Sequence, residues 1–124
     1  MMDYRIYRLK KAIEEYLKKS WTVEQMAKYV NVSTPHLFRI FKSDTGKTPI
    51  SYLNDLRIEK ARALLENTFL RVKEIRFLIA FPDQGHFVRE FKKKVGMTPT
   101  AFRKKCWDEI QNSDTSHNKS DFLT

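Results

Sequence analysis

Residues Lys47–Thr68 read KTPISYLNDLRIEKARALLENT, a single long helix with a Thr-Pro start, because proline is preorganised for a first helical turn and threonine can cap it. Apolar Tyr52, Leu53, Leu56, Ala61, Leu64 and Leu65 recur at helical spacing, and Asn54, Asp55, Arg57, Glu59, Lys60 and Arg62 fill the other side. From Pro49 to Leu65 such a helix is roughly 25 Å long at about 1.5 Å per residue, the length of a spacer. The material on either side of it repeats. HLFRIFKSDTGKTP from His36 returns as HFVREFKKKVGMTP from His86, an offset of 50 residues with seven of fourteen positions identical. Self-similarity at a fixed period means that two copies of one small unit flank the rod.

The chain has 124 residues, 41% of them hydrophobic and 13% aromatic, enough for one compact domain or two very small ones. Its net charge of +9 is unevenly spread: residues 1–107 carry 23 Lys/Arg against 11 Asp/Glu, and residues 108–124 carry one Lys against four acids. The part that folds is the basic part. A small, strongly basic domain favours a polyanionic partner, and nucleic acid ranks above an anionic membrane because no segment is strongly apolar on one face and cationic on the other. Cys106 is the single cysteine, so no intrachain disulfide forms, and the chain opens with no hydrophobic run resembling a signal or a membrane span. A reducing, cytoplasmic setting at the nucleoid is expected.

Residues 3–19 place Ile6, Leu9, Ile13 and Leu17 at spacings of three and four, a first amphipathic helix. Thr22 with Gln25 forms a capping box that opens a helix turning Met26, Ala27 and Val30 inward. Asn31-Val32 breaks it, and Ser33 with Pro35 starts the next helix through Leu37, Ile40 and Phe41 to Gly46, a glycine C-cap. Two short helices joined by about three residues are the pattern of a helix-turn-helix. The second copy repeats the plan: Val72 to Ile79, a turn at Ala80-Phe81-Pro82, then Gln84 to Val95 with its start at Pro82 or Asp83. Thr98-Pro99 opens a last helix through Phe102 and Trp107. The chain is therefore all-α with about seven helices: a first helix-turn-helix subdomain at 3–48, a linker helix at 49–67, a second subdomain at 68–107, and a polar tail at 108–124 read as disordered.

The L-x-R-x-F-K of Leu37 to Lys42, the G-x-T-P of Gly46 to Pro49, the YLNDLRIEKARALL of Tyr52 to Leu65, the F-x-x-x-x-H-F-x-R-x-F-K of Phe81 to Lys92 and a second G-x-T-P from Gly96 stand in order along the chain. Together they resemble the DNA-binding domain of AraC/XylS-type bacterial transcription regulators, over residues 6–105. The resemblance implies two helix-turn-helix units held apart by the central helix, each inserting its second helix into the major groove of double-stranded DNA. Successive major grooves on one face lie about 34 Å apart, a span that a 25 Å rod plus the width of its flanking units can reach. One chain would then read, as a monomer, a site that other helix-turn-helix proteins span as dimers.

Carried over position by position, the resemblance places Thr34, Pro35, Phe38 and Arg39 on the exposed face of the first recognition helix, and Gln84, Gly85, His86 and Arg89 on the second. Arg39 and Arg89 can fork to guanine O6/N7, and Gln84 to adenine N6/N7; the plainer alternative for each is a phosphate contact or an exposed charge. Thr22, Thr48, Thr68 and Thr98 are assigned to helix N-termini, first as caps and second as phosphate ligands. Lys42, Lys92 and Lys93 are phosphate neighbours or a solvated face. The stripes of Leu37, Phe41, Phe81, Phe87, Phe91 and Trp107 are core. His36, His86 and His117 are too scattered for a metal site, no cofactor motif is present, and no nucleophile or paired-carboxylate arrangement points to an enzyme.

The second unit departs from the family. Arg76 stands where the two helices of the motif approach closely, so it either snorkels out past Phe77 or holds the helices apart. Ala80 occupies a turn position that favours glycine, Pro82 stands where the family usually has serine, and Gly85 removes a side chain from a reading position. A reading from a different class is a helical module that contacts RNA polymerase or another regulator without touching DNA, which would call for an exposed apolar patch and gives no reason for the basic charge. The chain is either a free-standing short regulator or one piece of a longer one.

Overall fold

The computed structural model describes residues 3–122, with side chains described through residue 112. Its described residues form seven helices and no strand: α1 Tyr4–Glu15, α2 Val23–Tyr29, α3 Thr34–Thr45, α4 Pro49–Asn67, α5 Val72–Leu78, α6 Gln84–Val95 and α7 Pro99–Phe122. Contacts divide the chain into two units, Met1–Lys60 with Leu78–Ala80, and Ala61–Phe77 with Phe81–Thr124. The division falls inside α4 and not at its ends, so each half of the central helix belongs to a unit.

In the first unit α1 contributes Ile6, Leu9, Ala12 and Ile13 to a core completed by Trp21, Met26, Ala27, Val30, Leu37, Phe41 and Leu53. Asp3 caps α1 by accepting from the Arg5 N–H at 2.9 Å. That helix ends at Glu15, four residues short of the end of the stretch that the apolar spacing marks out. The reason is Trp21, which is buried and whose indole N–H donates to the Tyr16 carbonyl at 3.1 Å, so the chain turns back to seat the ring and Leu17 packs from beyond the helix end.

The α4 stripe differs from the sequence expectation in two residues. Arg57 is buried, with 5% of its surface exposed, and Ile58 is buried beside it. Leu53, Arg57, Ala61 and Leu65 follow one another at i, i+4, so the buried line runs straight through position 57. The guanidinium survives there by donating from Nη2 to the Lys19 carbonyl at 3.4 Å, and burial pushes its pKa below the usual arginine value.

The second unit is an aromatic stack. Phe81, Phe87, Phe91 and Phe102 follow one another at centroid distances of 5.6, 5.9 and 5.7 Å in tilted and edge-to-face pairs. Arg103 reaches back to the end of α4, donating from Nε to Leu65 O at 3.0 Å and from Nη2 to Thr68 O at 3.1 Å, while the Trp107 indole donates to Glu66 O at 3.4 Å. These bonds satisfy carbonyls that a helix C-terminus leaves open. Asp108 to Asn112 continue α7 where the polar composition suggests a tail, because no glycine or proline follows Pro99 to stop the helix. The side chains of the rest of that expected tail lie outside the described residues.

Candidate nucleic-acid interface

Each unit carries a two-helix motif whose second helix is half core and half surface. In the first, Thr22 and Gln25 exchange side-chain-to-backbone bonds at 3.0 and 3.1 Å, starting α2 with a capping box. The turn passes through Asn31 at φ 59°, a conformation that asparagine accepts, and the Val32 N–H donates to Ala27 O at 3.0 Å. Ser33 then caps α3, accepting from the His36 N–H at 3.3 Å. Leu37 and Phe41 are fully buried, so the opposite face must present Pro35, Phe38, Arg39 and Lys42, all exposed. Thr34, at the first position of the helix, is half-buried.

The second motif is built on the same plan with one residue more. Asn31 and Ala80, both at positive φ, lie 49 residues apart, whereas the caps Ser33 and Asp83 lie 50 apart. Pro82 is the extra turn residue. The matching turn bond runs from the Phe81 N–H to Arg76 O at 3.2 Å, which puts Arg76 in the place of the 3%-exposed Ala27. Its guanidinium folds back over the turn, where Nη1 donates to Phe81 O at 3.2 Å. Asp83 caps α6 by accepting from the His86 N–H at 2.7 Å. With Phe87 and Phe91 buried, the outer face shows Gln84, Gly85, Arg89, Lys92 and Lys93, to which Lys94 adds a third exposed lysine that the adjacent run in the sequence already signals. Three cations in the last turn also complement the helix dipole.

His86 stands apart from the other candidates. It is half-buried, its ring meets Phe81 edge-on at 5.0 Å, and Nε2 lies 3.7 Å from Glu90 Oε1. These contacts tie the histidine at the start of α6 to the turn, while 36% of its side chain stays exposed.

The threonines divide by what their hydroxyls do. Thr22, Thr48 and Thr98 accept from the backbone N–H groups of Gln25, Ser51 and Ala101 at 3.1 to 3.2 Å. A hydroxyl that accepts through a lone pair still has its own hydrogen to donate, as a phosphate requires. Thr68 does not share this geometry. It follows the last turn of α4, donates to Leu64 O at 2.6 Å and stands four residues ahead of Val72, so the expectation that it begins a helix is corrected. The residue before α5 is Arg71, whose N–H donates to Glu74 Oε1 at 3.0 Å. Lacking a side-chain oxygen of its own, Arg71 leaves half of a capping box.

A family profile described as a helix-turn-helix domain matches residues 26–105. The Msm operon regulatory protein of Streptococcus mutans is 33% identical over 108 residues, covering 87% of this chain and 37% of that protein. The arabinose operon regulatory protein of Escherichia coli is 30% identical over 112 residues, covering 90% and 38%. The chain thus spans little more than a third of the curated relatives it matches. Among solved structures, the DNA-binding domain of the global transcriptional factor AdpA, in complex with a target DNA, superposes with a TM-score of 0.79 at 26% identity, covering 82% of this chain and 91% of that one. No helix among the described residues is long and apolar enough to cross a membrane. With a profile over most of its length, relatives above 30% identity and a shared fold, the chain belongs to the AraC/XylS family of helix-turn-helix transcription regulators, which are DNA-binding proteins and not enzymes.

Proposed function

We propose that this chain recognises a specific double-stranded DNA site as a monomer in the bacterial cytoplasm, with α3 in one major groove and α6 in the next. The observation that carries the reading is the pair of helices whose buried faces are wholly apolar and whose exposed faces carry Arg39 with Lys42, and Arg89 with Lys92 and Lys93. Arg39 and Arg89 read guanine, Gln84 reads adenine, and Pro35 and Phe38 lie against thymine methyl groups, while Thr34 and the exposed Gly85 border the bases. The lysines and the hydroxyls of Thr22, Thr48 and Thr98 hold phosphates, which fixes register without reading sequence. Thr68 contributes through the fold, since its hydrogen is already given to Leu64 O.

Selection of bound sites from random duplexes tests this reading. The expected product is a site with two preferred blocks about 10 bp apart, and an affinity that falls steeply with salt. Recovery of unrelated sequences with no shared block would contradict it and favour the protein-interaction reading, in which Phe69, 90% exposed and beside the Trp107 ring, faces RNA polymerase or another regulator.

A further inference from the structure

The two recognition helices carry the same arginine, but not the same residue one turn before it. Four residues ahead of Arg89 stands Gly85, and four ahead of Arg39 stands Pro35. On a helix these are stacked neighbours, and side chains lean toward the N-terminus over the preceding turn. A Cβ placed on Gly85 would lie 3.3 Å from Arg89 Nη1 and 3.4 Å from Asp83 Oδ1. The guanidinium of Arg89 therefore runs back along α6 through the space that a side chain at 85 would take, toward the capping carboxylate. Gly85 has no left-handed φ, so its backbone conformation does not require glycine. In α3 the pyrrolidine ring of Pro35 occupies the corresponding place. Arg39 instead borders a hollow lined by Ile40, Ser43, Asp44 and Asp3, which lies beside the second half of its helix and away from Pro35.

We propose that Gly85 and Pro35 are positioning residues that set the base pair addressed by the arginine one turn later: Gly85 lets Arg89 address the base pair opposite the first turn of α6, and Pro35 keeps Arg39 on the middle of α3. The proposal rests on the reading of Arg39 and Arg89 as base contacts. Four helical residues rise about 6 Å and one base pair about 3.4 Å, so the two courses differ by one to two base pairs. Identical arginines in a sequence repeat then read non-equivalent positions of their half-sites.

The test is a complete single-base-pair substitution profile of the selected site, measured on the whole chain for the parent, Gly85→Ala, Arg89→Ala and the double variant, with Pro35→Gly for the first unit. Arg89→Ala should flatten preference at one base pair of its block by about tenfold or more. Gly85→Ala, which places a methyl group 3.3 Å from Nη1 so that the guanidinium must shift aside, should weaken or shift the same position by about threefold and leave other positions alone. In the Arg89→Ala background it should change nothing, and Pro35→Gly should move the first block's preference toward the start of α3. The melting temperature of Gly85→Ala should be unchanged or higher, since alanine is the better helix former. If Arg89→Ala flattens the profile and Gly85→Ala leaves it intact, or acts equally without Arg89, the positioning role is overturned while the base contact stands. If Arg89→Ala leaves the profile unchanged, the base contact itself fails, and the positioning role with it.

Discussion

The two helix-turn-helix units solve one turn with different residues. The first uses small and turn-tolerant ones: Ala27 at the close approach of its helices and Asn31 at φ 59°. The second has Arg76 and Ala80 at the matching places and accommodates them, the arginine by bonding to the Phe81 carbonyl and the alanine by accepting φ 57°. The difference teaches that this motif is specified by the bond pattern of its turn, since Val32 to Ala27 and Phe81 to Arg76 are the same bond, and not by one set of residues. It also implies that the second unit carries strain the first lacks.

Exchanging the residues across the units should break the comparison most severely. Ala27→Arg puts a long cation into a site where the native side chain is 3% exposed, and should cost roughly 3 kcal/mol or more in urea unfolding. Arg76→Ala loses the Nη1 bond but also frees an Nε that is buried without a hydrogen-bond partner among the described residues, so its net effect should stay within about 1 kcal/mol. Equal penalties would show that the two close approaches are alike after all.

On DNA, Arg39→Ala should cost about 1 to 3 kcal/mol at one base pair of the first block, whereas Lys42→Ala should weaken all sequences alike. Matched and scrambled duplexes separate the two effects. The penalties for wrong base pairs should be larger in the block read by α3, because α6 has lost a reading side chain at Gly85 and ties His86 to the turn through its contact with Phe81. Equal penalties in both blocks would remove this asymmetry.

Ala80→Gly should stabilise the chain by about 1 kcal/mol, since the Cβ at positive φ is relieved, and Asn31→Gly should gain less because asparagine already tolerates that region. Thermal melts of the two variants rank them directly. The smallest effect concerns Asp3. The side-chain bonds from Arg5, at 3.0 and 3.3 Å, hold its carboxyl below the usual aspartate value. A depressed folded pKa means a contribution that is present above the unfolded pKa and lost as pH falls through the folded one. Asp3→Asn should therefore narrow the stability difference from the parent only below about pH 4.

Sequence patterning revealed the helices, the repeat and most caps because each depends on residues within four positions: Thr22 with Gln25, Ser33 with Pro35, Gly46 and Gly96. It missed what depends on distance along the chain. Nothing local marks Trp21 as the residue that ends α1, or Arg103 and Trp107 as the groups that close the end of α4, 35 to 41 residues away. Arg57 was misplaced because charge outweighs position when a stripe is drawn by residue type, although its i, i+4 line with Leu53 and Ala61 is regular. The added Pro82 was hidden by a repeat aligned on its recognition helices alone, where the offset is a constant 50. At the site, the outward rows were legible from the buried Leu37, Phe41, Phe87 and Phe91. The contact of His86 with the turn was not, since it requires knowing that Phe81 meets the ring edge-on.

The proposal at stake is that one chain reads two major grooves, with α3 in one and α6 in the other. Its most direct test is to measure affinity for the selected site after inserting 5 bp between the blocks, which moves one block to the opposite face of the duplex. Affinity should fall to that of a duplex carrying only the better block, by at least about tenfold, with stoichiometry remaining one chain per site. Unchanged affinity after the insertion would mean that the blocks are bound independently or that only one is read, and the two-groove account would be wrong.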